Sequence, residues 1–227
     1  SYVGKINVTG NAVLSGEDIL KEVELEEGDA YSPSLLAEDR NRIRKLYGEV
    51  GYLDVRVSAI RKPNLESGRI DLTFDLTENN KFSVNSVLVR GNDKTRTIAI
   101  IRELALAPGE IFDLRRMENS EARLRNTRFF ERVTLDDEPI ATQDPELQRT
   151  RRNLVVNVKE GRTGHISFGV GFSTLENAMM FAEFRQGNFD LFRWRGPHRF
   201  QGDGQKFRLR LKLGSRSSEA RLAFEEP

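Results

Sequence analysis

The first two thirds of the chain combine alternating apolar and polar segments with segments of helical spacing, and this arrangement occurs twice. INVTGN at 6–11 reappears as VLVRGN at 87–92, so Gly10 and Gly91 stand 81 positions apart. The same offset relates Ile19 to Ile100, Leu25 to Leu106, Gly28 to Gly109, Leu36 to Met117 and Ile43 to Leu124. So many matches in one register indicate a duplication.

Each copy is predicted to fold in the order strand, helix, helix, strand, strand. Ser15, Ser32 and Asp113 stand just before segments of helical spacing, where a side-chain oxygen can cap a helix N-terminus. Gly28 and Gly109 lie between the helices and are predicted to adopt left-handed turns. Two helices on one face of a three-stranded sheet make a small α+β domain with one core and an exposed sheet edge.

After Gly161 the helical spacing stops and four segments alternate apolar with polar residues. They are HISFGVGFS at 165–173, MMFAEFRQ at 179–186, KFRLRLKLG at 206–214 and ARLAFEE at 220–226. A turn is predicted at 174–178 and an aromatic loop at 187–194. A period of two predicts strands with one apolar and one polar face. Both a soluble sandwich and a transmembrane β-barrel show this pattern.

Two features favour the barrel. No further sheet or helix is predicted in the chain to cover four apolar faces. The polar faces carry both signs of charge, which suits a hydrated lumen: Glu183, Arg185, Arg208, Arg210, Lys212, Arg221 and Glu225. We therefore expect lipid to contact Phe207, Leu209, Leu211 and Leu213, and the lumen to receive Arg208, Arg210 and Lys212. Phe189, Phe192 and Trp194 would either form an interfacial aromatic girdle or pack at the base of a loop.

Composition adds bounds on partners and chemistry. The 227 residues carry 36 Lys and Arg against 35 Asp and Glu, and there is no cysteine. No apolar run approaches the roughly 20 residues of a transmembrane helix. The first residues already alternate like a strand, and the last residues show no pattern that would end a domain. We therefore expect the chain to be part of a longer protein.

No pattern predicts an enzyme, a cofactor or a metal site. GVG at 169–171 is a lone Gly-x-Gly within a strand, without the helix that phosphate binding requires. His165 and His198 stand alone in a chain without cysteine, which makes a zinc site improbable. DDE at 136–138 is interpreted as a solvated loop.

The tandem βααββ order with V-x-G-N at the end of the first strand resembles polypeptide-transport-associated (POTRA) domains. The strand HISFGVGF, the NFDLF loop and the stretch from GDGQKF to AFEEP resemble the start of the barrel in BamA-like outer-membrane β-barrel assembly factors. The resemblance covers essentially all 227 residues. It implies POTRA domains at 1–80 and 81–161, followed at 162–227 by the first four strands of an outer-membrane barrel. The POTRA domains would lie in the periplasm.

The resemblance also implies where other chains bind. An exposed POTRA edge would add a strand from a partner, at Tyr52–Ser58 and Phe130–Leu135, or these edges would be framework in a spacer. The residues concerned are Tyr52, Leu53, Val55, Val57, Phe130, Val133 and Leu135. Expected partners are unfolded outer-membrane proteins, periplasmic lipoproteins or chaperones of an assembly complex, and the lipid bilayer.

In the family, the first barrel strand lies at a weak seam and templates the strands of incoming barrels. The corresponding seam residues would be Gly164, Ile166, Phe168, Gly169, Val170, Gly171 and Phe172. The glycines suit a weakly held strand, or they relieve crowding inside the barrel.

Two other functions stay open at this point. In the same superfamily, a two-partner secretion translocase would pass a polypeptide along basic lumen residues. A nucleic-acid-binding module could use residues 193–221, which hold nine Lys or Arg against Asp203 and Glu219. Strict alternation with Phe and Leu favours a sheet face over a flexible basic arm, so no nucleic-acid partner is expected.

Overall fold

The computed structural model describes residues 1–173 and 177–227 of the chain. The elements are β1 (Val3–Thr9), α1 (Gly16–Lys21), α2 (Pro33–Glu49), β2 (Arg56–Asn64), β3 (Arg69–Thr77), β4 (Ser83–Arg90), α3 (Thr97–Ile101), α4 (Leu114–Asn126), β5 (Phe130–Pro139), α5 (Pro145–Thr150), β6 (Arg151–Glu160), β7 (Gly164–Ser173), β8 (Asn177–Phe189), β9 (Gln205–Gly214) and β10 (Ser218–Glu225). Contacts group the chain into two units. The first comprises Ser1–Ser86, Leu106–Glu118 and Asp137–Leu154, and the second comprises Val87–Ala105, Asn119–Asp136 and Val155–Pro227.

The first copy of the repeat forms a three-stranded sheet in the order β1-β3-β2. β1 runs parallel to β3, and β2 runs antiparallel to it. The predicted caps are present, because the Ser15 hydroxyl accepts from the amide of Asp18 and the Ser32 hydroxyl accepts from the amide of Leu35. The core contains Val3, Ile19, Leu25, Leu36, Ile43, Tyr47, Val55, Val57, Leu72, Phe74 and Leu76.

The second copy repeats this plan in a sheet of order β4-β6-β5. Asp113 caps α4 as predicted, since its carboxylate accepts from the amide of Arg116 at 3.1 Å. Two features differ from the prediction. A short helix, α5, precedes β6, and its Asp144 cap and Pro145 carry a start signal that the repeat comparison passed over. Residues 136–138 lie within β5 and not in a loop.

The duplication extends to buried hydrogen bonds. In the first copy, the Asp39 carboxylate is fully buried and accepts from the amides of Glu24 and Leu25. In the second copy, the fully buried Ser120 hydroxyl accepts from the amide of Ala105 at 2.8 Å. Both side chains thus tie the segment after the first helix to the second helix. Gly28 and Gly109 have φ of +99° and +89°, which confirms the predicted left-handed turns.

We expect replacement of Asp39 by alanine to destabilise the first copy. The substitution leaves the amide donors of Glu24 and Leu25 without their acceptor, and the buried amide of Leu25 alone should cost about 1–3 kcal/mol when unsatisfied. Glu38→Ala is the matched control, because Glu38 is the exposed neighbour on the same helix. Urea denaturation followed by circular dichroism compares the two variants, and equal midpoints would contradict the assigned role of Asp39.

The last four strands form one antiparallel sheet in the order β10-β9-β8-β7. The predicted turn at 174–178 falls largely on residues 174–176, which lie outside the described residues. The apolar face is uncovered in the described part of the chain: Ile166 is 61% exposed, Phe168 79%, Phe172 83% and Leu213 61%. Such a large exposed apolar face is abnormal for a soluble sheet, so it favours a sheet that faces lipid.

Candidate functional site

Sheet edges are the first candidate site, because an edge strand carries unpaired backbone donors and acceptors. β2 and β5 are edge strands of their sheets. β2 begins at Arg56, later than the predicted start at Tyr52, because residues 51–54 form turns. Tyr52, Leu53 and Val55 therefore precede the strand. Toward its end β2 carries Pro63, which has no amide proton to donate.

The side chains on these edges are divided between the core and the surface. Val57 is 1% exposed and Val133 is 3% exposed, so both point into the cores. Phe130 and Leu135 lie in β5 and pack partly against the second core. Because these side chains pack into the domain cores, any strand added to β2 or β5 would be held mainly by main-chain hydrogen bonds.

The third predicted edge is β7, which pairs with β8 along its whole length from Gly164 opposite Gln186 to Ser173 opposite Asn177. All the predicted seam residues lie in this strand. A methyl group on Gly169 would lie 2.2 Å from the Phe181 ring on the neighbouring strand, whereas one on Gly171 would contact Met179 at 3.4 Å. Gly169 thus makes room for an aromatic ring, which favours relief of crowding as the explanation for this glycine.

Strand register places like residues in rows across the sheet. One apolar row comprises Ile166, Phe184, Leu209 and Leu222, and the next comprises Phe168, Ala182, Leu211 and Ala220. On the opposite face, Ser167, Glu183, Arg210 and Arg221 share a row. Glu183 is 6% exposed and lies 3.9 Å from Arg210. The predicted lipid and lumen sets thus occupy opposite faces of β9.

The segment between β8 and β9, residues 190–204, is held by buried polar groups, and we call it the junction loop. Asn188 is 3% exposed; its amide nitrogen donates to the Thr95 hydroxyl at 2.8 Å, and its oxygen accepts from the amide of Gly204 at 2.9 Å. Gln205 is fully buried and accepts from the amide of Leu191 at 2.8 Å. These bonds fix both ends of the loop.

Charged groups fix the loop to the segment that follows β4. The fully buried Asp190 carboxylate lies 2.9 Å from the Arg96 guanidinium. Arg193 donates to the carbonyl of Lys94 at 2.8 Å, and the amide of Arg96 donates to the carbonyl of Gly202 at 2.9 Å. A methyl group on Gly202 would lie 2.4 Å from the Lys94 carbonyl oxygen, so the two backbones approach closely.

Glu160, at the end of β6, holds the other side of the same segment. Its carboxylate accepts from the amides of Lys94 and Thr95, at 2.9 and 2.6 Å. Burial raises the pKa of Glu160, but these amide hydrogen bonds outweigh burial and hold the pKa below its ordinary value. Glu78 occupies the same place in the first copy, where it accepts from the amides of Ala12 and Val13.

We expect protection of the Lys94 and Thr95 amides to fall in acid. A carboxyl whose pKa is lowered in the folded state contributes stability above its unfolded pKa of about 4.5, and this contribution is lost as the pH falls through the lower folded pKa. Protection factors from amide exchange at about pH 6 and pH 3 would measure the loss. Glu160→Gln keeps an acceptor but cannot ionise, so it should remove the pH dependence; an unchanged pH dependence would contradict the prediction.

Sequence reasoning missed this polar group of residues. Asn188 and Asp190 were placed in the aromatic loop predicted at 187–194, and Gln205 was not singled out, although all three polar side chains are buried. The pair Glu78 and Glu160 was available from the repeat alignment, since TEN at 77–79 corresponds to KEG at 159–161.

No helix in residues 1–173 or 177–227 is long and apolar enough to cross a membrane. In the same ranges, no three His, Cys, Asp or Glu side chains group as metal ligands would.

Comparison with known proteins decides the family. Residues 1–79 and 82–161 each match POTRA, described as the surface antigen variable number repeat. The chain belongs to the POTRA family. The chain is 31% identical over 176 residues to outer membrane protein assembly factor BamA of Nitratidesulfovibrio vulgaris, covering 76% of this chain and 22% of that protein. The BamA of Neisseria meningitidis is 24% identical and matches over 99% of this chain and 26% of its own length.

A solved structure extends the likeness beyond the POTRA domains. The crystal structure of BamA from Haemophilus ducreyi lacking POTRA domains 1–3 matches 99% of this chain and 39% of that one, with a TM-score of 0.79 and 20% identity. The fold is thus two POTRA domains followed by antiparallel strands of an incomplete transmembrane β-barrel. The predicted resemblance to BamA-like outer-membrane assembly factors is confirmed, as is the outer-membrane localisation with periplasmic POTRA domains. The names of these relatives describe assembly and state no enzymatic reaction.

Proposed function

We propose that the protein assembles and inserts β-barrel proteins into the bacterial outer membrane, without acting as an enzyme. The chain spans about a quarter of the length of the BamA relatives that it matches, so this function concerns a protein with a larger barrel. Residues 1–80 and 81–161 would be its POTRA domains, and 162–227 its first four barrel strands. The observation that carries the proposal is β7, an edge strand that follows the second POTRA domain and has an exposed apolar side.

Each edge would have its own role. The β7 edge would pair with a strand of an incoming barrel protein, because a free row of amides and carbonyls binds another strand with little demand on its sequence. β2 and β5 would bind extended segments of unfolded outer-membrane proteins, lipoproteins or chaperones in the same way. Strand pairing and transfer of apolar faces into lipid supply the free energy, so no nucleotide is needed. Assembly factors among the relatives favour insertion over two-partner secretion.

Crosslinking tests the role of β7. Cysteines placed in the full-length protein along Gly164–Phe172 are expected to form adducts with newly synthesised barrel proteins that carry cysteines in their terminal strands. Sites on Lys212 and Gly214 of β9 are the matched controls, since β9 is paired on both sides by β8 and β10. Adducts confined to a partner strand within the same barrel, with none to substrate, would contradict templating by β7.

A further inference from the structure

The junction loop exposes side chains that take no part in its buried hydrogen bonds, and we call the surface they form its outer side. Leu191 is 49% exposed, Phe192 72% and Trp194 58%, although all three are large apolar side chains. Three such residues within four positions make the exposed part of this loop strongly apolar, whereas scattered exposed apolar residues would need no explanation.

The charge on this outer side is positive. Arg195 and Arg199 are exposed, and the Arg195 guanidinium lies 4.0 Å from the centre of the Trp194 ring. The acidic residues of the loop are turned elsewhere: Asp190 is buried against Arg96, and the Asp203 carboxylate also lies 4.0 Å from Arg96. In the described residues, no ion pair is found for Arg195 or Arg199.

The outer side adjoins the lower end of the lipid-facing sheet. Phe200 of the loop stacks on Phe189 at 5.8 Å, and Phe189 stacks on Phe207 at 5.0 Å. Phe207 pairs with Phe224, in the last row of the apolar face. This row lies beside Gly164, where the chain enters the sheet from the second POTRA domain. The loop thus lies at the membrane boundary on the POTRA side.

The loop is also held in shape before any partner binds. The amides of Phe192 and Arg193 both donate to the Asp190 carboxylate at 3.1 Å, and the amide of Phe200 donates to the Arg193 carbonyl at 2.7 Å. Phe200 has a φ of +55°, which a bulky residue adopts only where its surroundings enforce it. A preorganised surface loses less conformational entropy on binding.

We propose that the outer side of the junction loop binds anionic phospholipid headgroups of the leaflet that faces the POTRA domains. Trp194, Phe192 and Leu191 enter the interface, where amphipathic and aromatic side chains concentrate, while Arg195 and Arg199 contact phosphate groups. The inner side of the junction loop is bonded to Lys94, Thr95 and Arg96 in the segment that follows β4. Lipid contact would therefore also hold this segment of the second POTRA domain at the membrane surface. The inference rests on the proposed membrane-spanning sheet.

The test uses full-length protein without other cysteines, reconstituted in vesicles of phosphatidylcholine and phosphatidylglycerol. A bimane fluorophore at F192C reports lipid contact when either lipid carries brominated chains. Two positions are controls: L211C on the apolar face and L65C, which is 95% exposed in the first POTRA domain. We expect quenching at 192 and 211 and none at 65. Only at position 192 should quenching be stronger with brominated phosphatidylglycerol than with brominated phosphatidylcholine. The expected preference is about fivefold per arginine.

Different outcomes test the preference for anionic lipid and the contact of the loop with the membrane. In the R195Q/R199Q variant, quenching at 192 should persist. The ratio of quenching by phosphatidylglycerol to quenching by phosphatidylcholine should fall close to one. Equal quenching by both lipids in the unsubstituted loop would overturn the anionic assignment. Quenching at 211 but not at 192, as in a loop exposed to water or covered by protein, would overturn the lipid contact and leave the barrel intact. Absence of quenching at 211 would overturn the membrane-spanning sheet and the proposal with it.

Discussion

Replacing Gly91 by alanine is expected to destabilise the second POTRA domain strongly. Gly91 has a φ of +87°, and a methyl group there would lie 2.1 Å from the carbonyl oxygen of Val158. The left-handed conformation and the overlap with backbone should together cost roughly 3 kcal/mol. Gly10 is in the same situation in the first domain, with φ of +76° and a methyl position 2.1 Å from the Leu76 carbonyl oxygen.

Gly109 and Gly28 are matched controls for these substitutions. Their φ values of +89° and +99° are similar, but nothing lies within 4 Å of an added methyl group. Alanine there should cost only the conformational part, about 1–2 kcal/mol. Urea denaturation of the four variants would separate the two contributions. Equal losses for Gly91→Ala and Gly109→Ala would show that the close approach to Val158 contributes nothing.

Introducing an arginine at Leu222 is expected to impair stable insertion of the barrel. Leu222 lies on the apolar face and is 67% exposed in this sheet, in a row with Leu209 and Phe184. Placing arginine against lipid costs about 2–4 kcal/mol at the bilayer midplane and less toward either interface. Leu222 lies one row inward from the boundary row of Phe207 and Phe224, so we expect a loss below the full midplane value. Urea unfolding of the full-length protein in lipid vesicles, followed by electrophoretic mobility of the folded barrel, measures this loss.

Ala223→Arg supplies the control on the same strand. Ala223 is the next residue, is exposed, and pairs with Arg208 on the polar face. Its only new cost is repulsion from a cross-strand arginine in a hydrated environment, about 1 kcal/mol or less. If both arginine variants lost stability equally, the assignment of the two faces to lipid and lumen would be wrong.

The relation between sequence and structure differs from one element to the next. The two POTRA domains were predictable because the duplication tests each pattern twice: Ile19 and Ile100 are both fully buried, as are Ile43 and Leu124 to within 1%. The start of β2 was predicted too early, because apolar residues at 52–55 continue the alternation although Gly51, with φ of +95°, and the turns at 51–54 hold them outside the strand. α5 was missed because the first copy has no counterpart.

The candidate sites divide in the same way. The period of two placed Phe207, Leu209, Leu211 and Leu213 on one face of β9 and Arg208, Arg210 and Lys212 on the other. The pairing register with β8 keeps these two sets on opposite faces. Sequence alone left open why Gly169 is a glycine, and the Phe181 ring above it supplies the reason. It also treated residues 187–194 as one aromatic loop, whereas Asn188 and Phe189 complete β8 and Phe189 is 9% exposed.

By itself, the sequence determined the repeat, the helix caps, the left-handed glycines and the two faces of each barrel strand, because all of these depend on local spacing and backbone conformation. The tertiary structure alone decided which edges are free and which polar side chains meet. Asn188 and Thr95 lie 93 positions apart, and Asp190 and Arg96 lie slightly farther apart, so no local pattern relates them. Their pairing depends on how the chain brings distant segments together, because buried polar and charged groups need partners there.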